Sequence, residues 1–198
     1  MSQTVSAIQP AQRQRTVHSR PPMLAVGIII WLGSELMFFA GLFAALFTLR
    51  AHLATWPPSG TKLDTLQAGI FTVLLVASSG TMWMAVWYEE HLERAKARLW
   101  IGLSILLGTL FVGNQVYEWI TQTTRWSTNS YGSIFYIATG LHGLHVFIGL
   151  LAMVLLLGRM RGAAGDPGEL GAFQGVSYYW HFVDVVWVGL YSCLFLLK

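Results

Sequence analysis

Trp31-Leu-Gly-Ser-Glu-Leu-Met-Phe-Phe-Ala-Gly-Leu-Phe43 is the stretch on which the reading of this chain turns. It sits inside an apolar run from Met23 to Leu49 whose only formal charge is Glu35. A run of that length can cross the ~30 Å hydrocarbon core of a bilayer as a helix. Glu35 lies 12 residues into it, and at about 1.5 Å per residue that is roughly 18 Å, near mid-bilayer. A carboxylate at that depth costs at least ~2.5 kcal/mol, so Glu35 is expected to be neutral, paired or turned toward protein. It needs a partner from elsewhere in the chain.

Working outward, four more apolar runs follow: Leu66–Tyr88, Leu99–Ile120, Tyr131–Leu157 and Phe173–Leu197. With the first, they span 22 to 27 residues each, enough to cross a membrane with some tilt. Barrel strands would be about ten residues long with alternating polarity, and these runs are neither. The 198 residues are 55% hydrophobic and 11% charged, and a soluble domain carries about twice that charged fraction. The expected fold is an all-α membrane protein, a bundle of five transmembrane helices over residues 23–198. Short links make sequence neighbours the expected antiparallel neighbours in space.

Residues 1–22 are polar, with Arg13, Arg15 and Arg20, and end in Pro21-Pro22. With no short apolar core and cleavage site, they read as a disordered cytoplasmic tail and not a signal peptide. The tail, the second link (Arg94, Lys96, Arg98) and the fourth (Arg159, Arg161) put eight basic residues on one side. Arg50, Lys62, Arg125 and Lys198 put four on the other. Positive charge favours the cytoplasmic face, so the N-terminus is expected inside and the C-terminus outside. That topology accounts for the net charge of +3; no clustered basic face points to nucleic acid. In the second link, Glu90/Arg94 and Glu93/Lys96 stand at helical spacing, which predicts a self-paired, solvated extension.

Small residues recur at close spacing, as in Gly41/Ala45, Ala77-Ser-Ser-Gly-Thr81, Ser104/Gly108 and Gly140, Gly143 and Gly149. In lipid such residues let helices approach and pack. Cys193 is the only cysteine. That excludes a disulfide within the chain and any site needing two thiolates, such as a dinuclear copper centre.

Few ionisable side chains lie at membrane depth. His142 and His145 share a face of the fourth helix, and His181 and Asp184 share a face of the fifth. Antiparallel packing brings both pairs near the level of Glu35, while Glu118 falls nearer the outer interface. Three readings compete: metal or haem ligation, a buried proton wire, and interhelical hydrogen bonds of roughly 0.6–2 kcal/mol each.

The motifs themselves narrow the choice. Trp31-Leu-Gly-Ser-Glu-Leu-Met-Phe-Phe-Ala-Gly41, Tyr117-Glu118, Tyr131-Gly-Ser133, Ala138-Thr-Gly-Leu-His-Gly-Leu-His-Val146 and Tyr179-Trp-His-Phe-Val-Asp-Val-Val-Trp187 resemble subunit III of the haem–copper cytochrome c oxidases. The resemblance spans about residues 22–198 and is nearest to the short five-helix actinobacterial form. Quinol oxidases have a related subunit that usually carries Ser-Asp in place of Ser34-Glu35, and an accessory protein of nitric oxide reductases is a more distant relative.

The resemblance implies a non-redox subunit of a proton-pumping aa3-type oxidase in the bacterial plasma membrane. It would pack against subunit I, and beside subunit II, within a respiratory complex or supercomplex. Haem a and copper would reside in those partners and none in this chain, whose bound molecules would be phospholipid. The family's third subunit supports proton uptake and sustained turnover. Glu35 matches its buried carbodiimide-reactive glutamate. His142, His145, His181 and Asp184 match motif positions that look structural or lipid-adjacent, and no catalytic residue is implied. Longer family members have two further N-terminal helices that enclose a lipid cleft, so the state of that cleft is open here. Arg159 and Arg161 are candidate phospholipid-headgroup contacts, with topology-setting charge as the alternative. Two readings from other classes remain: a free-standing intramembrane haem protein, and a small transporter.

Overall fold

All five apolar runs are helical in the computed structural model, which describes residues 23–53, 55–56, 64–122, 129–160 and 167–197. The helices are α1 (Met23–His52), α2 (Thr65–Glu90), α3 (Arg94–Thr121), α4 (Ser130–Arg159) and α5 (Pro167–Tyr191). A single π-helical turn, Ser192–Leu196, continues α5. All five are long and apolar enough to span a bilayer. The tail expected over residues 1–22, and Lys62, Arg125, Arg161 and Lys198, lie outside the described residues.

Helix is the natural state of these runs because lipid offers the backbone no hydrogen-bond partner, so each segment must satisfy its own. The ends are set by polar residues. Asp64 accepts a hydrogen bond from the Gln67 amide at 3.0 Å ahead of α2, and Asn129 accepts from the Gly132 amide at 2.7 Å ahead of α4. Between α2 and α3 the chain reverses in three residues, with Leu92 at φ 61°. That left-handed conformation is one a leucine adopts only under constraint.

Helices α2 to α5 form a ring of antiparallel neighbours. Lipid tails are as apolar as leucine, so little drives apolar faces together and close fit with hydrogen bonds must do so. Trp180 of α5 is the centre of that fit. It is fully buried, its Nε1–H donates to Ser78 Oγ of α2 at 2.9 Å, and its ring fills the space left by Gly108 of α3 and Gly149 of α4. A Cβ on either glycine would stand 2.8 Å from the indole. Two turns further along α5, Trp187 donates to Thr72 of α2 at 2.9 Å. Thr81 and Ser104 share a 2.6 Å hydrogen bond between α2 and α3, and Gln67 donates to Asn114 at 2.5 Å. Not every small residue serves this purpose: Gly41, Gly80 and Gly113 face open space.

Helix α1 lies outside the ring, and here the structure corrects an expectation. α1 packs in the groove between α4 and α5, parallel to α5, and not beside α2. Ile28 meets Gly175, Phe39 meets Phe182 and Phe43 meets Gly189. The 12 residues from Leu53 to Asp64 can reach up to ~40 Å, which frees α2 from lying next to α1.

The link between α2 and α3 brings a second correction. The chain leaves helix after Glu90, so Glu90 and Arg94 are not stacked on one face. Instead Glu90 accepts from Gln174. Arg94 reaches Glu169 at the start of α5, Glu89 at 3.6 Å and the Met160 carbonyl, and Arg98 donates to the same carbonyl. Glu89 and Glu169 are buried and Arg94 is half-buried, while Glu90 and Arg98 remain exposed, and together these contacts tie the flanks of the two links at this end of the bundle. Glu93 and Lys96 do pair on the surface, at 2.5 Å.

Candidate functional site

The ionisable groups at membrane depth do not form one network. They occupy separate places around α5, each built by a different pair of helices.

The first lies between α1 and α4. Glu35 Oε2 is 3.2 Å from His145 Nε2. The other ring nitrogen, Nδ1, lies 2.7 Å from the Leu141 carbonyl. A carbonyl oxygen only accepts, so Nδ1 carries a hydrogen and donates it. The contact between Nε2 and the carboxyl is then bridged by a single shared proton. Phe39 packs edge-on against the imidazole, with ring centres 5.1 Å apart, and the Tyr179 hydroxyl donates to the His145 carbonyl at 3.0 Å. Tyr179 is stacked on Trp31 at 5.4 Å. Glu35 therefore has its partner, held in an aromatic frame made of α1, α4 and α5.

His142, one turn before His145 on α4, points the other way, into the ring. It is fully buried, stacked on Trp187 at 4.9 Å and edge-on to Phe111 at 6.1 Å, with no hydrogen-bond partner for either nitrogen among the described residues. The shared face expected from their spacing is split between two surroundings, because α4 has α1 on one flank and α3 and α5 on the other.

The third place lies between α2 and α5. His181 Nδ1 is 2.9 Å from Ser79 Oγ, and the Ser79 hydroxyl is also hydrogen-bonded to Asp184 Oδ2. Asp184 is buried, and its Oδ1 has no partner among the described residues. The spacing put His181 and Asp184 on one face of α5, and Ser79 of α2, which joins them, was not anticipated. Its stretch, Ala77 to Thr81, reads as small packing residues, and the signal that separates it is two adjacent hydroxyls, one (Ser78) taken by Trp180 and one by this pair.

Glu118 stands apart from all of these. It lines a small polar cavity of about 60 Å³ with Asp64, Gln67, Thr121 and Gln122, near the end of the bundle where α2 begins and α3 finishes. Arg159 is exposed on the last turn of α4. Cys193 is buried beside Phe195 in the turn after α5. Among the described residues no three side chains of His, Cys, Asp and Glu converge as metal ligands would.

Comparison with known proteins now adds to this geometry. The family model for cytochrome c oxidase subunit III matches residues 11–197. The chain is 45% identical over 204 residues to a probable cytochrome c oxidase subunit 3 of Mycobacterium leprae, covering 100% of both chains. It is 47% identical over 188 residues to one of Nocardia farcinica, covering 92% of this chain and 93% of that one. With the cytochrome c oxidase subunit 3 of Corynebacterium diphtheriae it shares 40% identity over 186 residues, 91% of each chain.

Proposed function

The chain belongs to the cytochrome c oxidase subunit III family, and from that premise we propose that it is the non-redox third subunit of an aa3-type oxidase in a bacterial plasma membrane. Subunits I and II carry the haem a and copper and perform the electron chemistry. This chain packs against subunit I, binds phospholipid, and supports proton uptake and sustained turnover. Its N-terminus faces the cytoplasm, in keeping with the basic residues on that side.

The observation that carries this reading is the Glu35–His145 contact. The one formal charge in the apolar run of α1 meets an imidazole whose other nitrogen is committed to a backbone carbonyl. One proton is held between two polar groups and the contact needs no metal. An intramembrane carboxyl so placed is the usual mark of proton handling. His142, His181 and Asp184 act as helix contacts in this reading, and the exposed Arg159 meets a phospholipid headgroup.

The test is purification in mild detergent through a tag on this chain. A haem-containing subunit should co-purify and give a Soret band, while the chain separated from its partners should give none. An apolar carbodiimide should label Glu35, and Glu35→Gln should abolish the label. Deleting the chain should leave initial oxygen reduction largely intact and shorten the active lifetime of the complex. Visible absorption that stays with the isolated chain would overturn the proposal.

A further inference from the structure

The groove between α2 and α5 has a depth the oxidase reading does not use. It is a cavity of about 320 Å³, walled by Trp83 and Trp87 and carrying Glu90, Gln174, Ser177 and His181 on its lining. Glu90 and Gln174 are hydrogen-bonded at the end near the α2–α3 link, and His181 lies one further turn along α5 from Ser177. With these polar groups on its lining, a cavity of this size has room for several water molecules. Behind His181 stand Ser79 and the buried Asp184, in a row.

The hydrogen-bond directions in that row are constrained. Ser79 has one proton to give and two neighbours. When Asp184 is ionised it can only accept, so the Ser79 hydroxyl donates to Asp184 and His181 Nδ1–H donates to Ser79. When Asp184 is protonated the whole row reverses: Asp184 donates to Ser79, Ser79 donates to Nδ1, and the imidazole proton sits on Nε2. Both states keep the His181–Ser79 and Ser79–Asp184 hydrogen bonds, and they differ by one proton. The passage between them balances. A hydronium ion in the groove gives a proton to Nε2 and becomes water, Nδ1 passes its proton to Ser79 Oγ, and Ser79 passes its own to Asp184. Nδ1 is engaged by Ser79, which leaves Nε2 to the cavity that the ring lines.

The geometry points to Asp184 as a proton-storing carboxyl that exchanges with water in the α2–α5 groove through His181 and Ser79. Glu90 at the groove mouth and the Tyr178 phenol are the other ionisable groups on that lining. The site is separate from Glu35, which lies against α4 with His145. It is built from this chain's own side chains and adds proton exchange to the helix-joining role of His181 and Asp184.

The test is infrared difference spectroscopy on the assembled, lipid-reconstituted complex containing the full chain, in water and in deuterium oxide. A protonated-carboxyl band that shifts on deuteration should be present. It should vanish in Asp184→Asn and persist in Glu35→Gln. Ser79→Ala should slow its exchange at least tenfold, and Ser79→Thr, which restores a hydroxyl, should return the wild-type rate. The inference is overturned if no such band exists at any pH the complex tolerates, if the band survives Asp184→Asn, or if Ser79→Ala exchanges as fast as wild type. Should Asp184→Asn fail to assemble, the Ser79 pair decides the matter alone.

Discussion

Helix α1 and the helices of the ring, α2 to α5, are all apolar enough to cross a membrane and are held in different ways. The ring is joined by interdigitation: Trp180 in the space between Gly108 and Gly149, indole and hydroxyl hydrogen bonds crossing between helices, and buried ion pairs at one end. Helix α1 is attached along one stripe, by aromatic contacts and, among the described residues, a single polar pair. In its most apolar window 11% of residues are buried, against 56% for α5. The difference teaches that hydropathy places a helix in the membrane and says little about what it holds on to there. Steric fit and polar pairs decide that.

The comparison can be broken at either side. Gly149→Val should be the most damaging single change, because its added carbons meet the Trp180 ring within van der Waals distance and Ser78 pins the indole. A loss of about 3 kcal/mol is expected, seen as an earlier midpoint when the bundle is unfolded by added denaturing detergent. Glu35→Ala should cost about 1.5–3 kcal/mol and act on α1 alone: protease sensitivity of α1 should rise while the unfolding midpoint of the ring stays put. A matching fall in the ring midpoint would show that α1 and the ring are one cooperative unit. Trp31→Ala, which removes the stack on Tyr179, should loosen α1 by about 0.5–1.5 kcal/mol, read by the same proteolysis. Last, Leu92→Gly should stabilise the α2–α3 hairpin by about 1 kcal/mol, since glycine adopts the positive φ freely.

Five helices were legible in the amino-acid sequence because lipid leaves an apolar run of that length one backbone solution. The pairing of Glu35 with a histidine was legible as a need, since a lone carboxyl at that depth demands company. Which histidine answers it was not. His142 and His145 are three residues apart and differ only in which helices flank α4, a matter of tertiary order that spacing does not encode. The same holds for the seat of α1: a short link suggested α2, and the groove of α4 and α5 offered the better fit. Ser79 was hidden for another reason. A serine among small residues looks like packing until the helix opposite is known to present Asp184.

That α1 is seated on α4 and α5 has a consequence for biosynthesis. Glu35 is made 110 residues ahead of His145. At about 5–20 residues per second, it waits roughly 6–22 seconds for its partner to be translated. Of the five helices, α1 is made first, yet its seat is complete only once α4 and α5 have followed.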